Sequence, residues 1–489
     1  MKTAKYPAAG PAARPPAGDP APRWGLLAVL AGNMLIDSLE VSATLVALPA
    51  VGAGFHLAPS TAQWAMTAFA IGFGGLMLFG ARVVAIHGAR RAYLLALLAF
   101  AAASLLAGVT GSFAVLVACR VVKGFCAALT APTGLAIILN TFPEGPPRSR
   151  AISVYTVFGA GGFTGGLLLS GLLTDISWRW TFAAPAPAAL LLFLLGLRMI
   201  PAAAPAAGPR RRYDLAGAAT ATGALVCLDL AIASSAGHGV SSVRVWGGLA
   251  GFAALGALFA AVERAAADPL LRLPPRTGRA GMLRSALGAG SLNGSYLALL
   301  VVITFQFQTS QGWSPLRTAL AILPASVPLA LLALRSGRMI ARFGTRRLIA
   351  YGALPPVAGY LLYVRLPAHP DYLTAVLPTM LLVGAGFVLS FAALNTQATA
   401  DLPPAERGGA AALYQSAVQI AAVVAPAAAA ALFQSGLADG PGHSSALRPA
   451  IWLVVGIGAV GMVAALTAPR RRPAPLPRPA QAGAGAKQP

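Results

Sequence analysis

Charge is scarce in this chain and unevenly signed. Only 10% of its 489 residues are Asp, Glu, Lys or Arg while 57% are apolar, and the charged minority splits into 36 Lys and Arg against 13 Asp and Glu. So little charge in so much apolar sequence excludes an ordinary water-soluble domain and points to an integral membrane protein. Cysteine is scarcer still. Cys119, Cys126 and Cys227 all fall within apolar runs, and an odd number without close pairing spells neither a disulfide framework nor a thiolate metal site. His56, His87, His238, His369 and His443 are scattered without ligand spacing, which argues against a metalloenzyme. A Walker-type Gly-rich loop and the spacing of a catalytic triad are also missing. The expectation is a protein that is not an enzyme and uses no metal or cofactor.

What the chain has in plenty is apolar runs long enough to cross a bilayer, whose core of about 30 Å needs roughly 20 helical residues. They lie near 24–50, 61–83, 92–110, 113–139, 151–173, 180–200 and 214–236, then 245–266, 283–309, 316–335, 347–366, 372–394, 409–434 and 449–468. Fourteen crossings are therefore expected. Lys and Arg concentrate in cytoplasmic loops, and here alternate loops hold them. With both termini cytoplasmic, the outside keeps only Arg179, Arg244, Arg317, Arg365 and Arg448, while Arg120 and Lys123 lie within a segment. The formal charge of +23 is thus topology, and no nucleic-acid partner is needed to explain it. The run after residue 23 is too long for a cleaved signal peptide and reads as a retained first crossing. Tails 1–23 and 469–489 are rich in Pro and Gly without apolar periodicity and are expected to be disordered and cytoplasmic. The excess of Arg over Lys, with abundant Ala, Gly and Pro, suggests a bacterium with a GC-rich genome.

One phrase is written twice. ARVVAIHGARR at 81–91 returns as GRMIARFGTRR at 337–347, so that Arg82, Gly88, Arg90 and Arg91 match Arg338, Gly344, Arg346 and Arg347 at the same offsets. One copy sits between segments 2 and 3 and the other between segments 10 and 11, which implies two related halves. Glycine permits a tight turn there, and cations near helix C-termini satisfy open carbonyls.

The first copy resembles the signature loop of the major facilitator superfamily, Gly-Arg-Leu-Ala-Asp-Arg-x-Gly-Arg-Arg. Further stretches resemble its 14-helix drug and proton antiporter branch: LEVSATLVALP at 39–49 in the first segment, RVVKGFCAA at 120–128 in the fourth, and FQTSQGWSPLRTALAILP. The resemblance implies an all-α membrane fold of two six-helix bundles, 24–200 and 283–468, with an inserted helix pair at 214–266. It also implies two departures. The loop acid of the family is Ala85 in one copy and Ala341 in the other, and the fifth-segment antiporter motif survives as Gly162, Gly166, Ser170 and Gly171 with Leu167 in place of its proline.

A charge near the bilayer centre costs on the order of 3 kcal/mol, so intramembrane ionisable residues ask for a reason. Asp37 and Glu40 share a face of the first segment, as Arg120 and Lys123 do on the fourth. The resemblance lines a central cavity with both faces, making Glu40, Asp37, Arg120 and Lys123 the proton-coupling candidates; a static buried ion network is the alternative. Asp229, on the seventh segment, is expected in a structural or lipid-edge place. Amides and aromatics inside apolar segments, Asn33, Trp64, Tyr296, Phe305, Gln308, Asn395, Tyr414 and Gln415, are candidates for an amphipathic cavity. The expectation is a monomeric exporter of a bulky amphipathic small molecule in the cell membrane, working by alternating access with a proton gradient as its only energy source. A proton-coupled importer or lipid carrier, suggested by Leu167, and a non-transporting scaffold or sensor, suggested by the missing loop acids, stay open.

Overall fold

A computed structural model of the protein describes residues 20–202, 213–239, 241–266, 270, 276–332, 335–365, 371–438 and 443–467. Residues 1–19 and 468–489, which hold almost all of the two expected tails, lie outside the described residues. Every described element is helical, as expected where backbone polar groups must be satisfied within each segment. The first half runs through α1 (Pro20–Gly54), then a broken passage of α2 (Pro59–Ala62), α3 (Trp64–Gly75) and α4 (Met77–His87). It continues with α5 (Ala89–Val109), α6 (Phe113–Thr141), α7 (Pro146–Ile176), α8 (Trp178–Ala183) and α9 (Pro185–Met199). Two single helices follow, α10 (Leu215–His238) and α11 (Val243–Ala265).

The second half opens with α12 (Arg276–Phe305), which ends in a π-helical turn at Gln306–Ser310. Next come α13 (Pro315–Ile322), α14 (Val327–Leu332), α15 (Ser336–Phe343) and α16 (Thr345–Val364). α17 (Leu377–Ala400), α18 (Pro404–Ala438) and α19 (His443–Leu466) complete it. Among the described residues, eleven helices are long and apolar enough to cross a membrane, and the pair Pro59–Gly75 and Met77–His87, bent by 53°, makes a twelfth if taken as one span. The expected crossing at 316–335 is broken: Pro324 sits in a 3-10 turn between α13 and α14, and Pro328 begins the next piece, as residues that cannot donate to a helix ladder should. The one at 347–366 is α16, with Pro355 and Pro356 inside it.

Local chemistry sets the helix ends. Asp214 Oδ1 accepts from the Gly217 amide at 2.8 Å to start α10, and the Ser314 hydroxyl accepts from the Arg317 amide at 3.2 Å to start α13, each satisfying an orphan donor of the first turn. The twin loops behave as twins. Gly88 (φ 84°, ψ 150°) ends α4 and precedes α5, and Gly344 (φ 78°, ψ 151°) does the same between α15 and α16. In each the glycine amide closes the preceding helix, onto the Val84 and Ile340 carbonyls at 2.9 Å. A side chain at that φ would be strained, so the phrase recurs because the same backbone turn does.

Packing follows the two halves. α1 lies along α7 and α3 along α6 in the first, while α12 packs on α18 and α19, and α16 on α17, in the second. α10 and α11 pair with each other, and α10 also rests on α18 and α3. Contacts across the seam run from the ends remote from Gly88 and Gly344 to the middle of the bundles, where α3 lies on α18 and a Cβ on Gly74 would stand 2.5 Å from Gln419 Cβ. Gln308 Nε2 donates to the Val46 carbonyl at 2.9 Å, the Ser60 amide donates to Gln434 Oε1 at 3.0 Å, and Gly171 abuts Leu316 and Ala319.

Of the stripe Gly162, Gly166, Ser170 and Gly171, the first three explain how α1 and α7 lie so close, while Gly171 faces α13. A Cβ on Gly162 would stand 2.3 Å from the Leu35 carbonyl oxygen, one on Gly166 would stand 2.8 Å from that of Leu39, and Ser170 Oγ donates to the Ala43 carbonyl at 2.6 Å. Leu167 is buried, and α7 runs unbroken from Pro146 to Ile176, as it should without the proline that would kink it. Replacing Gly166 by Val should therefore cost about 1–3 kcal/mol through overpacking, read as a lower melting temperature in detergent. Gly165→Ala, where nothing lies within 4 Å of the new Cβ, should leave the melting temperature unchanged or slightly higher.

Candidate functional site: a buried ion cluster and an aromatic ladder

The second passage and α6 touch backbone to backbone. A Cβ on Gly124 would lie 2.1 Å from the Phe69 carbonyl oxygen, and one on Gly72 would lie 2.2 Å from that of Val121, so neither place admits a side chain. That approach delivers Arg120, a turn before Gly124, to α3, where its Nε donates to the Ala65 carbonyl at 2.7 Å. Its Nη1 donates to Glu40 Oε2, and its Nη2 donates to the Glu40 backbone carbonyl at 3.3 Å. Lys123 takes the other carboxylate oxygen, with Nζ 2.6 Å from Glu40 Oε1. All three side chains are buried. Each cation also faces a ring, Arg120 over Phe69 and Lys123 over Phe100, both at 4.8 Å, which adds cation–π attraction where water is excluded.

Asp37 shares a helix face with Glu40 but not its partners. Its Oδ2 accepts from Asn33 Nδ2 at 2.9 Å and from Thr130 Oγ1 at 3.0 Å. Both donors are neutral, so the two carboxylates of α1 differ in kind: Glu40 is pinned between cations, and Asp37 is held by dipoles alone. Thr130 is a partner that spacing did not disclose, since a threonine in an apolar helix normally bonds its own backbone, as Thr130 also does to Cys126.

The expected cavity residues divide. Tyr296 stands in a ladder of rings that crosses the seam, 5.9 Å from Phe163 of α7 and 4.9 Å from Phe387, which stacks 4.8 Å from Phe391 on α17. Phe163, Phe387 and Phe391 escaped the sequence reading, because lone aromatics in apolar helices carry no marker; the four-residue step from Phe387 to Phe391 was the one available hint. Phe305 is buried against Phe433 with ring centres 6.0 Å apart, inside the second bundle. Gln308 reaches the first bundle through Val46, Asn33 serves Asp37, and Tyr414 is buried. Trp64 and Gln415 are half-buried and Asn395 is exposed. The structure does not gather these eight residues into one chamber.

At the loops, Arg82 is buried, and Arg90 Nη2 donates to the Leu197 carbonyl at 2.6 Å in the last turn of α9, a cation capping a helix C-terminus. Arg91 and Arg338 are exposed, Arg346 and Arg347 lie at the start of α16, and Tyr213 hydrogen-bonds His87. Of the two places expected for Asp229, structural or lipid-edge, the structure gives the buried one, because α10 turns it toward Gln63 and Thr67 of the second passage. Among the described residues no cluster of three or more His, Cys, Asp or Glu is placed to hold a metal.

Two helical bundles with an inserted pair, charge sealed inside one bundle and rings bridging the two, are the architecture of a secondary membrane carrier. Residues 30–426 match the family model of the Major Facilitator Superfamily, and the chain belongs to that family. It is a transporter, not an enzyme. It is 36% identical over 417 residues to the puromycin resistance protein pur8 of Streptomyces alboniger, covering 82% of this chain and 80% of that one. It is 32% identical to the cephamycin export protein CmcT of Amycolatopsis lactamdurans, covering 78% of this chain and 79% of that one. Among solved structures, the nucleoside transporter NupG shares the fold, with a TM-score of 0.60 at 11% identity over 90% of this chain and 99% of that one.

The ion cluster makes a ranked prediction. Glu40→Gln strands two buried cations, Arg120→Gln leaves a Glu40–Lys123 pair but loses the bonds to the Ala65 and Glu40 carbonyls, and Lys123→Gln leaves the Arg120–Glu40 pair whole. Uncompensated buried charge costs about 3–5 kcal/mol. Thermal unfolding in detergent should therefore place Glu40→Gln lowest, Arg120→Gln next and Lys123→Gln nearest the parent.

Proposed function

We propose that the protein exports bulky amphipathic compounds of the antibiotic type across a bacterial cell membrane, each cycle driven by proton entry. The observation that carries this reading is the contrast on α1, where Asp37 accepts only from Asn33 and Thr130 while Glu40 is gripped by Arg120 and Lys123. A buried carboxylate held by neutral donors tolerates both charge states, whereas one held by two cations is needed as an anion. Asp37 is the proton carrier, and the Glu40 cluster is the charged pivot that senses it from the same helix face. The resistance and export names of the relatives support the substrate class and the outward direction. The ring ladder from Phe163 to Phe391 supplies the flat apolar contacts that such compounds need.

Fourteen crossings with both termini in the cytoplasm follow from the alternation of Lys and Arg, with the broken series α13 to α15 and the Pro-containing α16 completing the count. The seam contacts at Val46, Ser60 and Gly171 then lie at the outer ends of the bundles. The chain works as a monomer and needs no cofactor beyond the proton gradient. The unbroken α7 with Leu167 favours a second reading, proton-coupled import or lipid carriage. A proton entering down 100 mV releases about 2.3 kcal/mol, enough to bias the cycle by nearly two orders of magnitude.

The test is flux in proteoliposomes under an imposed proton gradient with puromycin and ethidium as probes. Movement opposite to the protons is expected, with gradient dependence lost in Asp37→Asn. Movement with the protons selects import, and gradient-driven flux that is unchanged in Asp37→Asn removes Asp37 from the mechanism. No flux of either probe overturns the assigned substrate class.

A further inference from the structure

The inserted pair is not absorbed by that mechanism, yet its first helix buries a carboxylate. Asp229 on α10 is fully buried, its Oδ2 accepts from Thr67 Oγ1 at 2.9 Å, and its Oδ1 accepts from Gln63 Nε2 at 3.4 Å. Neither donor is charged. Of the helices packed against α10, α2 and α3 contain no ionisable side chain, and α4 contributes Arg82 and His87. α11 contributes Arg244, Glu263 and Arg264 towards its ends, and α18 contributes Glu406, Arg407 and Tyr414. On α10 itself are Asp214 at its N-cap, the free thiol of Cys227 two residues before Asp229, and His238 in its last turn. The hydrogen bonds of Asp229 reach none of these.

Two features of the site ask for a proton, and a third links it to Arg120. Gln63 Oε1 is buried and receives no hydrogen bond from a described residue, so an acceptor without a donor stands beside a carboxylate that, as an anion, has no hydrogen to give. Turning the amide round leaves the same demand, because its oxygen would then face Oδ1. Thr67 Oγ1 also has a second acceptor, the Gln63 carbonyl at 3.5 Å, ready when Asp229 weakens as an acceptor. The turn from Gln63 to Thr67 contains Ala65, whose carbonyl holds Arg120.

α10 is placed to pass a change on. It meets the first bundle beside the bend of the second passage, where a Cβ on Gly75 would stand 3.1 Å from Thr222 Oγ1, and it packs along α18 of the second bundle.

We propose that Asp229 is a second proton-binding carboxylate of the transporter, and that its charge state sets how firmly the inserted helix grips the turn of the second passage that holds Arg120. This deepens the proton-coupled reading and rests on it. In the step itself a hydronium ion gives its proton to Oδ1, the Gln63 amide turns so that its Nε2–H bond to Oδ1 is exchanged for one from the new O–H to Oε1, and Thr67 relaxes toward its own helix. Release of that proton to water on the other side turns the amide back and restores the anion and both original hydrogen bonds; no covalent bond other than that O–H forms or breaks.

Asparagine at 229 keeps an acceptor for Thr67 and offers Gln63 a permanent donor, so Asp229→Asn imitates the protonated state without emptying the site. Infrared difference spectra of the full-length protein, labelled with carbon-13 aspartate and titrated across neutral pH, should show a buried carboxylic acid band that vanishes in Asp229→Asn and persists in Asp37→Asn. Ethidium flux by Asp229→Asn should proceed with a flattened pH profile, while its melting temperature stays at the parent value. An Asp229→Asn spectrum that superimposes on the parent, or an unaltered pH profile of flux, overturns the proposal. Absent flux in the parent with the band still present would instead overturn the exporter reading alone.

Discussion

Everything in the first bundle is arranged around one expensive decision, to seal a carboxylate and two cations where there is no water. The penalty for removing such groups from water is several kcal/mol each, and their mutual attraction repays it only with close geometry and full hydrogen bonding. The structure meets the first condition through its backbone and the second for Arg120, while Lys123 Nζ is held by its ion pair with Glu40 Oε1. Gly72 and Gly124 let α3 and α6 touch, which brings the Ala65 carbonyl to Arg120, and Gly162 and Gly166 hold α1, with Glu40 on it, against α7. Phe69 and Phe100 close the cations off with ring faces. A bundle built to this tolerance has few intermediate positions and suits a carrier that must move between discrete states.

The two bundles repeat a backbone plan but not its chemistry. Gly88 and Gly344 share one conformation, whereas the interior of the second bundle is bonded by neutral groups, such as Tyr360 to Ser295 at 3.0 Å and Tyr363 to Gln306 at 2.5 Å. Among the described residues, buried charge resides in the first bundle and its neighbour α10. The rings that suit a flat apolar solute belong mostly to the second. An asymmetric division of this kind lets one half respond to the gradient while the other holds cargo, with the ladder from Phe163 to Tyr296 as the point where they meet.

Much of the fold was legible because bilayer crossings are written in single residues: apolar runs mark them, Lys and Arg mark their ends, and a repeated glycine marks a repeated turn. The start of α10 at Asp214 and the loops at Gly88 and Gly344 are of this kind. The breaks around Pro324 were visible as prolines but not as breaks, since membrane helices often carry proline without fracture. Partner choice was not legible at all. Asp37 and Glu40 sit three apart on one face, yet one finds Thr130 and the other Arg120, and the difference lies in where α6 crosses α1. For the same reason the sequence leaves Asp229 between a structural and a lipid-edge place, as its partners Gln63 and Thr67 lie more than 160 residues earlier in the chain.

The central claim is an obligatory exchange of proton for solute, and it is tested most directly without imposing a proton gradient. Vesicles containing the protein would be loaded with ethidium, a cation with no proton to lose, and diluted into dye-free buffer at equal pH with the membrane potential clamped by potassium and valinomycin. Exchange predicts that departing dye draws protons inward, so that the lumen acidifies in step with dye loss and Asp37→Asn abolishes the acidification. Dye loss through the protein with a constant luminal pH would contradict the account.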